Sequence, residues 1–538
     1  MPKTLVIVVA TLAWLSLAPA PPAVRTVTPI RPPAQAQARS GAVSSPPMRP
    51  EHAVRYWTAE RQAAADAAGP PESSAGKRGA PPAAPPAPPP APPPAPPPVG
   101  TANLAGARRH SVPASKRLTP GSDANGYARV RRPYTSAATS RITGRLFFVN
   151  SGGHGDSCSA SVVRSAAEKL VVTAAHCVYS VPAGATTGRW HQRFAFVPAY
   201  DGRAATVKKR EPYGRWGGRR AWKPDGYTGL TGGDWNSVYD IALIEVGTRK
   251  RTLQKAVGAF TPMRSQGGRH TIATMGYPGV LGRQPYDGRD QLWCLGRTHQ
   301  ATGMVLGATL PAALPAALPA ALPAALPAAL PAALPVAPAE ARRSATTSRP
   351  GRLETHNCHL HKGHSGGPWL VQGTRDLVGV LSAGKEDGYA AGNAVANALN
   401  AEGYGAIVRQ ADPRGVYDAL SVKLRGPGRP VRRGSPVTVT ATVTMRGLMA
   451  AAQVPVTLTL SAGATLTATR GATCVREPAK ASCTIATIHP RRPVRITATI
   501  AVARDARTPL HVVGHVASTA LDPSQKDNAG TVRLKTRP

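Results

Sequence analysis

Ser365 lies in the run His361-Lys362-Gly363-His364-Ser365-Gly366-Gly367-Pro368-Trp369. A nucleophilic serine must be reachable, and the backbone beside it must offer N–H groups to a developing oxyanion. Glycines on both sides permit the sharp turn this requires. Taken alone, the pattern also fits a glycine-rich turn between strands. His176 closes a second stretch, Leu170-Val171-Val172-Thr173-Ala174-Ala175-His176-Cys177, an apolar run ending in small residues that leave room for an imidazole acting as a base. Between them Asp240 stands just before the apolar run Ile241-Ala242-Leu243-Ile244. The three follow one another in the order His, Asp, Ser, one of several orders in which a hydroxyl, a base and an orienting acid are found.

Three elements must hold these groups: a strand leading to His176, a strand leaving Asp240 and a turn carrying Ser365. Short apolar runs broken by Gly and Pro recur from about residue 136, as in Arg145–Val149, Asp240–Val246 and Leu377–Leu381, with lengths that suit strands of an all-β domain.

The segments Thr-Ala-Ala-His-Cys (173–177), Asp-Ile-Ala-Leu (240–243) and Gly-His-Ser-Gly-Gly-Pro (363–368) together resemble the chymotrypsin-like (trypsin-like) serine peptidases. The likeness runs from near Arg141 to near Asp418. Arg145–Val149 and Phe196–Tyr200 are similar to the secreted bacterial branch that includes glutamyl endopeptidases. The resemblance implies two six-stranded β-barrels with substrate in the cleft between them. It implies catalytic roles for His176, Asp240 and Ser365, an oxyanion hole from the N–H groups of Gly363 and Ser365, and a substrate-binding strand at Ser382, Ala383 and Gly384. No cofactor is implied. Asp234 is the rival acid but lacks the following apolar strand.

Two departures from the family stand out. Animal-type members place Asp immediately before the serine, where it pairs with a new amino terminus; here that residue is His364. Activation by terminus insertion at Arg141-Ile142 is therefore not expected. Basic specificity calls for an acid six residues before the serine, where His359 stands. Glutamyl specificity calls for a His where Leu381 stands. Neither preference is supported. The cluster His356, Cys358, His359, His361 and His364 is dense but irregularly spaced, and no metal site is read from it.

Six cysteines and an export-like start point to disulfides. The expected pairs are Cys158–Cys177, Cys294–Cys358 and Cys474–Cys483, each sequential and inside one proposed domain. The first would anchor the His176 loop, as in the resembling family.

The remaining chain divides by composition. Residues 1–23 read as a signal peptide, with a basic start, an apolar run and a small-x-small cleavage pattern. Residues 24–135 are low in large apolar residues, and 81–98 are only Pro and Ala, so a disordered Pro/Ala-rich propeptide or linker is expected. Residues 136–420 form the expected peptidase domain, interrupted at 310–335 by Leu-Pro-Ala-Ala repeats read as a surface insertion. Residues 421–538 alternate apolar residues with Thr, as in Pro436–Val443. They are expected to form an immunoglobulin-like β-sandwich accessory domain. Residues 136–420 are expected to fold and act without it.

The 66 Lys and Arg against 27 Asp and Glu give a formal net charge of +39, which permits an anionic cell-wall or surface polymer as partner. The charge is spread along the chain rather than clustered, so no specific nucleic-acid site is read. No long apolar run follows the signal, so no membrane span is expected afterwards. These features lead to the expectation of a secreted bacterial serine endopeptidase acting on protein or peptide substrates. The alternative is a non-catalytic surface or adhesion protein that keeps the barrels as a scaffold.

Overall fold

The computed structural model describes residues 41–68, 115–117, 127–229, 239–247, 250–265, 268–279, 286–303, 347–355, 358, 362–384, 394–400, 402–507, 509–519 and 521–538. The signal-like start and the Leu-Pro-Ala-Ala repeats lie outside them. The architecture is all-β, as expected from the short apolar runs, and chymotrypsin-like, as the family resemblance implied.

The first barrel is built from Thr143–Val149, Gly155–Val162, Leu170–Thr173, Gln192–Pro198, Trp216–Pro224 and Ala242–Val246. Each strand pairs with two neighbours. The ring closes where Trp216 and Gly217 pair with Phe196 and Ala195. Its interior is filled by Leu146, Val162, Val171, Phe194, Phe196 and Ile244, all essentially buried. These bulky and β-branched side chains suit a pleated, two-sided packing environment.

The second barrel uses Thr271–Gly276, Pro368–Val371, Asp376–Gly384, Ala394–Ala398 and Thr347–Thr355 in the order of pairing. The pairings begin at Leu292–Arg297 and end at His299–Gly303. These are the two halves of one strand bent at Thr298, so this ring also returns to its start. Tyr127–Val130 adds to Leu292–Cys294 on the outside. That strand lies within the stretch expected to be disordered.

A larger difference from the sequence reading concerns residues 41–68. The expectation of a disordered lead over 24–135 does not hold there: Ala42–Ser44 is a strand, and Pro50–Tyr56 and Ala59–Ala68 are helices. A few anchors outweigh the polar and Ala-rich composition. Trp57 and Gln62 are fully buried against the first barrel.

The C-terminal part is a sandwich of two antiparallel sheets. One has the order Leu420–Arg425, Pro436–Met445, Val494–Val502, Ala464–Arg470. The other has the order Thr473–Glu477, Lys480–Ile488, Ala450–Leu460, Leu510–Val516, Ala529–Leu534. Along Pro436–Met445 every second residue, from Val437 to Met445, is buried, as the Val/Thr alternation requires. The sandwich continues a peptidase-side sheet. Thr261–Arg264 pairs in parallel with Asp376–Leu377 on one edge and with Ala450–Ala451 on the other. Met449 and Leu521 enter the same apolar core as Tyr404, Ile407 and Leu399. Among the described residues no helix is long and apolar enough to cross a membrane.

Candidate active site

The strand Leu170–Thr173 runs directly into a single 3-10 turn, Ala175–Cys177, that carries His176. Ala242–Val246 pairs antiparallel with it, Ala242 opposite Thr173 and Leu243 opposite Val172. Extending that register by two residues brings Asp240 opposite the histidine turn. The carboxylate takes two bonds there: His176 Nδ1 lies 2.9 Å from Asp240 Oδ2, and the His176 backbone N–H donates to Oδ1 at 2.9 Å. Asp240 therefore fixes both the ring and the backbone of His176.

Ser382 adds a third bond. Its hydroxyl donates to Asp240 Oδ2 at 2.5 Å. The pairing of Asp376–Gly384 with Ala394–Ala398 shifts register between Leu381 and Ala383, so Ser382 is the bulged residue. A bulge re-aims a side chain, and here it turns the hydroxyl toward the first barrel. The expectation that Ser382 serves substrate is thus modified: its side chain is committed to Asp240. Ala383 is buried, and Gly384 ends the strand opposite Ala394.

Ser365 lies in the turn just before Pro368–Val371 and is 9 % exposed. Gly363 and Gly366 have φ of +80° and +82°, values that a side-chain-bearing residue adopts only with strain. Close approach also selects Gly366, since a Cβ there would collide with Thr173 Oγ1 and the Ser159 carbonyl and sit 3.1 Å from the Ala174 nitrogen. The backbone beside Ser365 is therefore in contact with the strand that delivers His176. The Ser365 carbonyl accepts from the Ser159 N–H at 2.9 Å, and the Gly366 N–H donates to the Leu381 carbonyl at 2.7 Å. The Ser159 hydroxyl donates to the Gly363 carbonyl at 2.8 Å and accepts from the Tyr277 N–H at 2.8 Å. Among the described residues no hydrogen bond joins Ser365 Oγ to His176, and the N–H groups of Gly363 and Ser365 have no acceptor.

Burial by itself would lower the His176 pKa. The Asp240 charge, its hydrogen bond and the more distant Asp156 outweigh that and raise it above the ordinary histidine value. Burial pushes Asp240 up, but His176 and the Ser382 hydroxyl hold it below the usual carboxylate range. The histidine side chain is still 34 % exposed, so it faces an open cleft on one side.

All three expected disulfides are formed, Cys158–Cys177, Cys294–Cys358 and Cys474–Cys483. The first ties the strand bearing Ser159 to the residue after His176. Cys158, His176 and Cys177 lie close enough together to suggest metal ligands, but both sulfurs are in that disulfide. Of the other candidates, Asp234, His356, His359 and His361 lie outside the described residues. Ile142 is fully buried at the end of the short helix Ala138–Ile142.

Three contributors, Tyr127, His191 and Ser159, were not anticipated from sequence, and a fourth residue, His364, was read as a departure from the family. His364 is fully buried, its Nδ1 2.8 Å from the Tyr127 hydroxyl and its Nε2 3.4 Å from Thr274 Oγ1. Tyr127 lies in a segment assigned to the lead; Ala128 and Val130 on either side of Arg129 were the available strand signal. His191 lies behind the turn that carries His176, with Nδ1 3.1 Å from the Cys177 carbonyl, Nε2 2.9 Å from the Ser180 hydroxyl, and Phe148 stacked on its ring at 4.7 Å. Ser159 follows Cys158, and nothing in its sequence context marks it.

The chain is similar in structure to bacterial serine proteases. The protease Anisep from Arthrobacter nicotinovorans matches at 19% identity with a TM-score of 0.35, covering 51% of this chain and 96% of that one. A Glu endopeptidase matches at 18% identity and 0.34, covering 54% and 97%. The CARDB domain of PF1109 from Pyrococcus furiosus matches at 12% identity and 0.18, covering 22% and 90%. No family model matches the sequence, and no curated protein does.

Proposed function

We propose that this protein is a secreted serine endopeptidase working through an acyl-enzyme. The observation that carries the reading is the carboxylate of Asp240, which is bonded to His176 on one side and to Ser382 of the second barrel on the other. Two elements of the first barrel meet there with one strand of the second.

Ser365 Oγ attacks the peptide carbonyl carbon while its proton passes to His176 Nε2, which Asp240 at Nδ1 holds in the accepting tautomer. The carbonyl π electrons move to oxygen, and the N–H groups of Gly363 and Ser365, free of internal acceptors, receive that charge. Collapse breaks the C–N bond, and His176 returns the proton to the leaving amine. Water then repeats the sequence on the ester, releasing the acid and restoring Ser365. Substrate backbone lies along Ser382, Ala383 and Gly384. His359 stands where basic specificity calls for an acid, and Leu381, uncharged and buried opposite Ala396, stands where glutamyl specificity calls for a His, so neither preference is supported. Domains at 136–420 and 421–538 remain part of the reading, with the peptidase part extended to Tyr127.

The test is sequencing of peptides released from an unbiased library by the wild type and by Ser365→Ala. Cleavage by the first and none by the second supports the proposal. Equal peptide patterns from both would favour the alternative, a surface protein that uses the barrels as a binding scaffold.

A further inference from the structure

We infer that residues 41–68 are a resident clamp of the first barrel, a partner in cis that stays bound after the chain behind it is cut, rather than a removable leader. Their contacts are those of a packed subunit. Ala42, Val43 and Ser44 pair antiparallel with Pro224, Lys223 and Trp222. The pairing covers the half of Trp216–Pro224 that extends beyond its contact with Phe196 and Ala195. The Ser45 N–H donates to the Ala221 carbonyl at 2.8 Å, and its hydroxyl accepts from the Ala221 N–H at 3.0 Å. Without this segment that strand edge would be open to other chains.

The anchor is Trp57, 1 % exposed. Its indole N–H donates to the Arg193 carbonyl at 2.6 Å, and its ring lies 5.4 Å from Phe147. Gln62, also fully buried, donates to Glu211 at 2.7 Å. Arg215 bonds Glu211 at 2.8 Å and reaches back to the carbonyls of Val54 and Trp57. Tyr56 is flanked by Arg61 and Arg193 at 4.2 and 4.6 Å from its centroid. The barrel is shaped to receive the segment: a Cβ on Gly217 would strike the Pro50 backbone, and one on Gly155 would sit 3.3 Å from Trp57. Buried aromatic and Arg anchors of this kind dominate association energies.

The clamp also bears on the candidate site. Trp57, Phe147, Tyr200 and Tyr277 share one apolar cluster. Tyr277 donates to Ser159, which bonds the backbone on both sides of His364.

The experiment does not depend on the peptidase reading. A recognition sequence for a specific protease is placed among residues 81–98 of the full chain carrying Ser365→Ala, so that self-cleavage plays no part. After cutting, gel filtration with intact-mass analysis is run at physiological salt. The two pieces should co-elute in equal amounts, and Trp216–Pro224 should keep its hydrogen-exchange protection. Adding Trp57→Ala should release the N-terminal piece on cutting, while the uncut variant retains it through the high effective concentration of a tethered segment. If Trp57→Ala fails to fold uncut, Gln62→Ala replaces it, with faster dissociation expected. Release of the N-terminal piece from cut chains that lack Trp57→Ala and Gln62→Ala, whatever the state of the remainder, overturns the inference.

Discussion

The Tyr127 hydroxyl lies 2.8 Å from Nδ1 of His364, the residue immediately before Ser365. A strand from outside the second barrel thus reaches the turn carrying the candidate nucleophile. The same stretch is held by Arg132, which bonds Asp201 at 2.8 Å and also Asp290. Tyr127→Phe removes one oxygen and leaves the ring. A buried hydrogen bond is worth about 0.5–1.5 kcal/mol net, so the fold should survive. The rate of acylation in single-turnover kinetics should fall severalfold with KM little changed. An unchanged rate would show that the bond does not position Ser365.

His191 gives a pH-dependent stability. In the folded chain burial holds its pKa down to about 3, despite the Cys177 carbonyl. An unfolded histidine titrates near about 6.5. Between those values the unfolded state binds the additional proton, so stability should fall as pH drops through that window. His191→Gln should flatten the acid limb of Tm against pH while costing some stability at neutrality. A parallel downward shift with the acid limb intact would assign the sensitivity elsewhere.

The Cys158–Cys177 bridge closes a loop with a sequence separation of 19 that holds His176. Replacing both cysteines by Ala should cost about 2–4 kcal/mol by denaturant unfolding. Activity at a temperature where the variant is still folded should also drop, because the turn loses its tie to Ser159. Full activity there would confine the bridge to stability.

The sandwich is more than an appendage. The sequence reading expects residues 136–420 to act alone, yet Thr261–Arg264 shares its outer edge with Ala450–Ala451, and His489 Nε2 meets Asp376 at 2.6 Å. Met449 and Leu521 fill the core beside Tyr404, and burying each such side chain contributes about 1.5–3 kcal/mol. A chain ending at Ala419 should therefore be less stable and prone to associate, as thermal unfolding and light scattering would show. A monomer of unchanged Tm would contradict this.

The parts of the site legible in the sequence are those where one local pattern fixes both structure and chemistry. Strand Leu170–Thr173 ending at His176, Asp240 before its strand, and the glycines around Ser365 each state their own geometry. The sandwich was legible because Val/Thr alternation over Pro436–Met445 matches the strand period. What escaped notice depends on partners distant in sequence. Trp57 looks like one aromatic in a polar, Ala-rich stretch until Arg193 and Phe147 surround it. Ser382 was expected on the substrate strand, but its bond to Asp240 depends on a bulge that no local pattern announces. His191 acquires its role from the Cys177 carbonyl behind it, and docking of the sandwich depends on an edge strand, Thr261–Arg264, that local pattern does not mark.

The central claim is that Ser365 is a nucleophile activated by His176 and Asp240. The most direct measurement is labelling of the full chain by a fluorophosphonate, with the modified residue located by mass spectrometry and the rate followed against pH. The label should fall on Ser365 alone and vanish in Ser365→Ala. His176 must be neutral to accept the proton, and its pKa is raised, so the rate should rise through a pH range above the ordinary histidine value of about 6.5. Asp240→Asn should slow labelling by about 10⁴-fold, as loss of the orienting carboxylate does in such triads. A folded wild-type protein that resists the probe at neutral and mildly alkaline pH, or takes it elsewhere, would contradict the account.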